Sequence, residues 1–267
     1  MIEVAFLGSG STGNCAVVRA GRTAVLLDAG LSPRQIAARL GKLGMSLDDV
    51  SALLLTHEHS DHVASAGVLA TKRGLPVYGT RGTLAKARLP GPLFADLRPV
   101  ACGDEVVFGN GDLTVRVTGT PHDGVEPVCY AFADAAGRRV GVVTDLGHLS
   151  KKVLGALAGC EVLGLEANHD VDVLREGAYP AFLKKRILSD VGHLSNAAAA
   201  AGLGRLLGER TRAVVGLHLS KSNNTPALTQ RALGEAIERL GAKVALEVAG
   251  PDAPTGWFRA RSAGGNG

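Results

Sequence analysis

Cysteine is scarce: four residues, Cys15, Cys102, Cys129 and Cys160, stand far apart with no Cys-x-x-Cys pair. That pattern excludes a disulfide framework and a thiolate-only metal site. Scattered thiols, in a chain whose start lacks a signal-peptide pattern, point to the cytoplasm. Aromatic residues are only 4% of the chain, with a single Trp, so Val, Leu and Ala must build the core. No apolar run approaches the roughly 18 residues that a membrane span needs, and no membrane partner is expected. Basic residues are in modest excess, at a net charge of +4, but long Lys/Arg runs are missing. This excludes an architectural nucleic-acid binder and permits a polyanionic substrate without establishing one.

What the chain does hold is Thr56-His57-Glu58-His59-Ser60-Asp61-His62. Three of its 8 histidines and the carboxylates of Glu58 and Asp61 fall within six residues, just after the apolar run Ala52 to Leu55. That run reads as a buried strand and Val63 to Lys72 as a helix, so the cluster occupies a strand-to-helix turn. Neutral imidazoles and a carboxylate are the donors a divalent metal such as zinc takes at about 2.0–2.2 Å. His57 and His59 suit one metal; Asp61 and His62, at the helix start, suit a second.

The 267 residues suffice for one large domain, expected over 1–261, with 262–267 as a flexible tail. Glu3 to Leu7 reads as a strand, Gly8 to Asn14 as a tight glycine turn, and Ala16–Arg19 with Thr23–Leu27 as a hairpin. The glycine turn lacks the Gly-Lys-Ser/Thr ending of a phosphate-binding loop. Ser32-Pro33 starts a helix through Lys42, and Asp28 either fixes a turn or supports the metal site. Pro76 to Gly79 reads as a strand and Thr80 to Arg88 as a helix. Leu93 to Thr120 reads as a meander, and Pro127–Asp134 with Arg139–Thr144 as a hairpin. Glu161–Leu165 and Ala213–Leu217 are apolar strands alternating with helices over Lys151–Leu157, Ala197–Leu207 and Pro226–Leu240. The alternation makes the chain α/β. Strand ends thus carry His122, Asp145, Glu166 and His218, while His148 reads as solvent-facing.

The His57–His62 segment resembles the signature of the metallo-β-lactamase-fold hydrolases. The resemblance implies an αβ/βα four-layer sandwich in which these strand ends converge. It implies that His57, His59 and His122 hold one metal, that Asp61, His62 and His218 hold another, and that Asp145 bridges them. Two divalent ions per chain are therefore expected. Zinc suits the donors best, and manganese and iron remain open. Such a pair can share a hydroxide and offset charge on a phosphoryl oxygen.

Ser189 to Ser195 resembles a segment of the ribonuclease Z and ribonuclease J branches. That likeness implies that His193, oriented by Glu166, protonates the leaving oxygen, with Asp61 orienting the attacking hydroxide. The segments Gly10–Asn14, Thr56–His62, Asn168–Asp170, Lys184–Asp190 and His218–Asn224 look like the YycJ/WalJ-type branch, associated with 5′-to-3′ exonuclease action on DNA. A metal-dependent hydrolase acting on DNA strand ends is the expectation. Lys184, Lys185, Arg186, Ser220, Lys221, Asn223 and Asn224 are candidates to grip the strand, against the plainer reading of a solvated helix face. Two alternatives share the fold: a small-molecule phosphodiesterase, or a thioesterase like glyoxalase II. A non-catalytic scaffold is disfavoured by seven complete ligand positions.

Overall fold

The computed structural model describes residues 1–89 and 95–260. Its first sheet opens with β1 (Ile2–Gly8), β2 (Cys15–Ala20) and β3 (Thr23–Leu27), joined antiparallel. It continues with β4 (Ala52–Leu54), β5 (Val77–Thr80) and β6 (Leu97–Val100), each parallel to the strand before it. The second sheet repeats this plan. β7 (Glu105–Phe108), β8 (Leu113–Gly119), β9 (Val128–Asp134) and β10 (Arg139–Val143) are antiparallel; β11 (Val162–Glu166), β12 (Ala213–Leu217) and β13 (Ala245–Val248) follow in parallel. The chain then returns to β1 as the edge strand β14 (Phe258–Ala260).

Each sheet buries both faces, which is why its parallel strands read as unbroken apolar runs. The inner faces meet in one core containing Phe6, Val25, Leu54, Tyr130 and Phe132. Outside the first sheet, α1 (Pro33–Lys42) and α3 (Ala66–Arg73) cover a second cluster through Ile36, Leu40 and Leu69. Outside the other sheet, α5 (Lys151–Leu157), α8 (Asn196–Leu206) and α9 (Pro226–Arg239) cover a third through Leu154, Leu203 and Leu233. Short helices α2 (Ser60–Val63), α4 (Arg81–Lys86), α6 (Val171–Glu176) and α7 (Ala181–Ile187) complete the chain. This is the expected αβ/βα four-layer sandwich. No described helix is long and apolar enough to cross a membrane.

Local chemistry explains the helix starts. Ser32 closes a capping box with Gln35 ahead of Pro33, and Ser195 and Thr225 cap α8 and α9. Three expectations need correction. The helix expected over Val63–Lys72 breaks at Ala64–Ser65, where the Ser65 hydroxyl donates to Leu31 O at 2.6 Å. The meander is divided: β6 closes the first sheet, whereas β7 and β8 open the second, the chain crossing at Gly103, whose φ of +101° suits glycine. Its start at Leu93 falls among residues 90–94, outside the described residues, as does the tail over 262–267. Finally, α6, α7, β13 and β14 were not anticipated.

Candidate active site

Parallel strands point their carboxyl ends at one edge of an α/β sheet, where polar groups collect. Here β3 delivers Asp28, β4 delivers residues 55–62, β10 delivers Asp145, β11 ends at Glu166 and β12 delivers His218. β8 lies two antiparallel steps from β10, so it runs in the same direction and brings His122 to the same edge. The two sheets are tied together beside the cluster. Tyr130 Oη donates to Leu55 O at 2.8 Å, and Val128 N donates to Thr56 O at 3.0 Å. Asp28, Asp145 and His218 all hold positive φ, near +56° to +59°. This conformation is costly for residues with a Cβ and is tolerated where surrounding contacts fix it. Gly30 is needed for space, since a Cβ there would overlap the Asp61 carbonyl.

The imidazoles are oriented in a common way. His122 Nδ1 lies 3.0 Å from Gly192 O, His62 Nδ1 2.8 Å from Asp28 Oδ2, and His218 Nδ1 3.0 Å from Glu166 Oε1. Carbonyl and carboxylate oxygens only accept, so each Nδ1 carries a proton and each Nε2 faces the site, where loss of its own proton would free a lone pair for a metal. His57 Nδ1 contacts Thr56 Oγ1 at 3.0 Å, leaving its buried Nε2 without a hydrogen-bond partner.

These donors fit divalent metals. The ligand atoms of His57, His59 and His122 lie within 4.8 Å of one another, as do those of Asp61, His62 and His218, and Asp145 joins His57 and His62 in a third such group. His59 Nδ1 and His122 Nε2 are 3.3 Å apart, and His218 Nε2 and Asp61 Oδ2 are 3.2 Å apart. Tetrahedral donors at zinc bond lengths stand roughly 3.3 Å from each other. The buried Asp145 Oδ2 lies 3.1 Å from His62 Nε2, so carboxylate and imidazole face a common point.

Charge makes the same argument. Burial raises the Asp145 carboxyl, but the charges of His218 and His62 outweigh it and hold the group well below the usual carboxylate range. Burial likewise opposes ionisation of Asp61, and hydrogen bonds from His218 and His62 overcome it, leaving this carboxyl strongly lowered. His62 is driven well up despite burial, by Asp145 and Asp28. His218 is carried to about 10, against burial, by Asp145 and by its bonds to Asp61 and Glu166. Burial and neighbouring imidazoles keep His57 neutral, its pKa lying well below the usual value. A buried site with this much carboxylate requires positive charge, which protonated imidazoles or a bound metal cation would supply.

Beside the cluster runs a cleft of about 350 Å³ lined by His59, Asp61, His122, Asp145, His193 and His218, with Arg186 and Ser220 further along its wall. His193 Nδ1 lies 2.8 Å from Glu166 Oε1, and Glu166 Oε2 accepts from Leu146 N and Leu194 N. Burial lowers the His193 pKa, yet the Glu166 charge and hydrogen bond raise it overall. Glu166 itself falls to about 2, His193 and His218 outweighing its burial. His193 does not cap α8; the Ser195 hydroxyl does.

The candidate grip residues separate. Arg186 and Ser220 line the cleft, whereas Lys184 turns back to donate to Arg175 O at 2.6 Å. Lys185 and Lys221 are exposed away from the lining. Asn223 and Asn224 are buried: Asn223 Nδ2 donates to Ser220 Oγ, and Asn224 bridges Ala167 O and Asn196. Their amides hold the loop after β12. His148 is exposed.

Sequence reasoning passed over two neighbours. Asn14 Nδ2 lies 3.0 Å from His62 Nε2 and 3.3 Å from Asp61 Oδ2, closing the glycine turn onto the site. Asp123 Oδ1 is 3.3 Å from His122 Nε2, and its Oδ2 accepts from Arg186 Nε at 2.5 Å. Adjacency to His122 was the only signal for Asp123. Asp28, left open by the sequence, performs both offered roles: it binds the Thr56 N–H and hydroxyl and orients His62.

Comparison with known proteins places this geometry. Residues 23–218 match the family described as the beta-lactamase superfamily domain. The chain is 38% identical to exodeoxyribonuclease YycJ of Bacillus anthracis over 242 residues, covering 90% of each. It is 37% identical to exodeoxyribonuclease WalJ of Streptococcus pneumoniae, covering 85% of this chain and 87% of that one. In structure it is similar to the metallo-beta-lactamase fold protein YhfI from Bacillus subtilis, with a TM-score of 0.72 at 15% identity, covering 96% and 99% of the two chains.

Proposed function

Since the chain belongs to the beta-lactamase superfamily and is a metal-dependent hydrolase, we propose that it is a dinuclear phosphodiesterase that removes nucleotides from DNA ends in the 5′-to-3′ direction. The observation that carries this reading is the Glu166–His193 pair at 2.8 Å on the cleft wall. An alkoxide leaving group needs a proton, which a thiolate does not, so a charged imidazole beside the metal ligands favours a phosphodiester over a thioester. The two relatives named exodeoxyribonucleases support DNA as the polymer.

His57, His59 and His122 would hold one ion and Asp61, His62 and His218 the other, with Asp145 between them. When bound, two such ions lower the pKa of a water toward ~7 and offset charge on phosphoryl oxygens. The remaining work belongs to the chain. Glu166 fixes the proton on His193 Nδ1 and stabilises the charged ring, so Nε2 can donate to the leaving oxygen. Asp61, beside His218, orients the nucleophile, and Arg186 contributes positive charge to the cleft.

The test is digestion of DNA labelled separately at its 5′ and 3′ ends, beside bis-p-nitrophenyl phosphate and a thioester, with metal analysis of the same preparation. Mononucleotides released first from the 5′ end are expected. Turnover of the thioester or small diester, with intact DNA, would overturn the proposal.

A further inference from the structure

Helix α7 exposes an aromatic ring where a soluble surface has no need of one. Phe182 is 75% exposed, while Phe6, Phe108 and Phe132 are buried and Phe258 is partly so. The helix anchors itself through Ile187, the one residue it buries. An exposed Phe forgoes the stabilisation that burial of its ring would bring. Among the described phenylalanines it is the most exposed, and what its ring can do follows from where it stands.

The position identifies the partner. Leu183, Arg186 and Ile187 of α7 line the cleft, and Tyr179, just ahead of the helix, lines it too. Residues four apart on a helix are neighbours, so Phe182 stands beside Arg186 on the shoulder of this cleft-facing stripe. The Arg186 guanidinium is fixed by Asp123, whose other oxygen lies 3.3 Å from the metal-ligand candidate His122. From the metal cluster outward, the wall offers acid and cation with the Tyr179 ring on the lining, and Phe182 stands exposed just outside it, four residues before Arg186 on the same helix. Alternation of cation and aromatic is how proteins hold single strands, phosphate on the charge and base on the ring.

We propose that α7 is a stacking platform: an unpaired nucleobase beyond the phosphate held by Arg186 lies on the Phe182 ring, with Tyr179 on the cleft side. The inference rests on the nuclease reading of the cleft and adds to it a requirement for a frayed or single-stranded end. Stacking tolerates any base, because every base presents a π face.

The experiment measures binding of a fluorescein-labelled, cleavage-resistant phosphorothioate oligonucleotide to the metal-loaded protein by fluorescence anisotropy. Phe182→Ala should weaken binding roughly tenfold and Phe182→Trp should preserve it. An oligonucleotide with abasic residues at its terminal positions should bind the parent as weakly as the intact one binds Phe182→Ala. The variant should then show no further loss. Equal affinities for parent and Phe182→Ala on intact DNA would overturn the platform while leaving the nuclease reading standing. So would equal losses on intact and abasic DNA, or conversion of a larger assembly to a monomer by Phe182→Ala in light scattering. A parent protein that neither binds nor cleaves DNA would instead remove the nuclease reading itself.

Discussion

Glu166 Oε1 lies 2.8 Å from His193 Nδ1, and the same oxygen lies 3.0 Å from His218 Nδ1. One carboxylate therefore orients both the candidate acid and a candidate metal ligand. Its other oxygen is saturated by two backbone N–H groups, so the carboxylate cannot swing to favour either ring. An amide in its place would present a donor where only an acceptor fits. Glu166→Gln is expected to weaken metal affinity by about 10–100-fold as well as slowing turnover. Metal titration against a competing chelator measures the first effect. Unchanged affinity alongside lost turnover would mean that Glu166 serves His193 alone.

His193→Ala should spare the metals and slow the chemical step, by about 10²–10⁴-fold on DNA. A p-nitrophenolate departs without help, so bis-p-nitrophenyl phosphate should suffer much less. Comparing kcat on the two substrates, with metal content measured on the same sample, decides the matter. Equal losses would remove the acid assignment.

Asp61→Ala should abolish hydrolysis while keeping the fold. Its carboxylate is partly exposed on the cleft and contacts His218 and His62, away from the three apolar clusters. The expected preparation binds one metal less per chain and melts as cooperatively as the parent. Near-normal turnover would end the proposed role.

Much of this architecture was legible because its signals are local. The His57–His62 cluster, the apolar runs of β4, β11 and β12, and the helix starts at Ser32-Pro33 and Thr225-Pro226 each fall within a few residues. The convergence of the candidate ligands at strand ends was legible because strand ends of one direction share one edge. What escaped is set by distant partners. β14 is three residues long and exists through pairing with β1, over 250 positions away. Asn14 and Asp123 acquire their places from the closing of loops, to which no residue pattern answers. Asn223 and Asn224 looked like phosphate donors because an exposed and a buried amide have the same letter.

Away from the site, Asp134 sets the acid limit of one hairpin. Its Oδ1 accepts from Ala136 N and Arg138 N, each at 3.0 Å, and its Oδ2 from Arg138 Nε at 2.6 Å. Burial raises this carboxyl, but the bonds from Arg138 and the N-terminal ammonium, 3.3 Å from Oδ2, outweigh it and the pKa is lowered. A folded-state pKa below the unfolded one stabilises fully above the unfolded value, about 3.9, and the contribution is lost as pH falls through the folded value. Asp134→Asn should therefore cost about 1–3 kcal/mol at pH 7. The gap to the parent should narrow as pH drops below about 4. Denaturant unfolding at several pH values tests this; a gap that stays constant into acid would refute it.

The basic triplet on α7 gives the last prediction. Lys184, Lys185 and Arg186 are adjacent in sequence, yet a helix sends neighbours about 100° apart. Only Arg186 of the three lines the cleft, and its Nε is held by Asp123, so its charge stands over the path to the candidate metal ligands. Lys184 spends its ammonium on Arg175 O, and Lys185 is exposed beyond the lining. A phosphate contact releases counterions, so losing one should reduce the slope of log KM against log salt by about one unit. Arg186→Ala is expected to raise KM for oligonucleotides and flatten that slope, while Lys185→Ala shifts both far less. KM for a 5′-phosphorylated oligonucleotide at two salt concentrations, for all three proteins, separates a phosphate contact from a general surface field. Equal slopes for the two variants would make the triplet an ordinary solvated face.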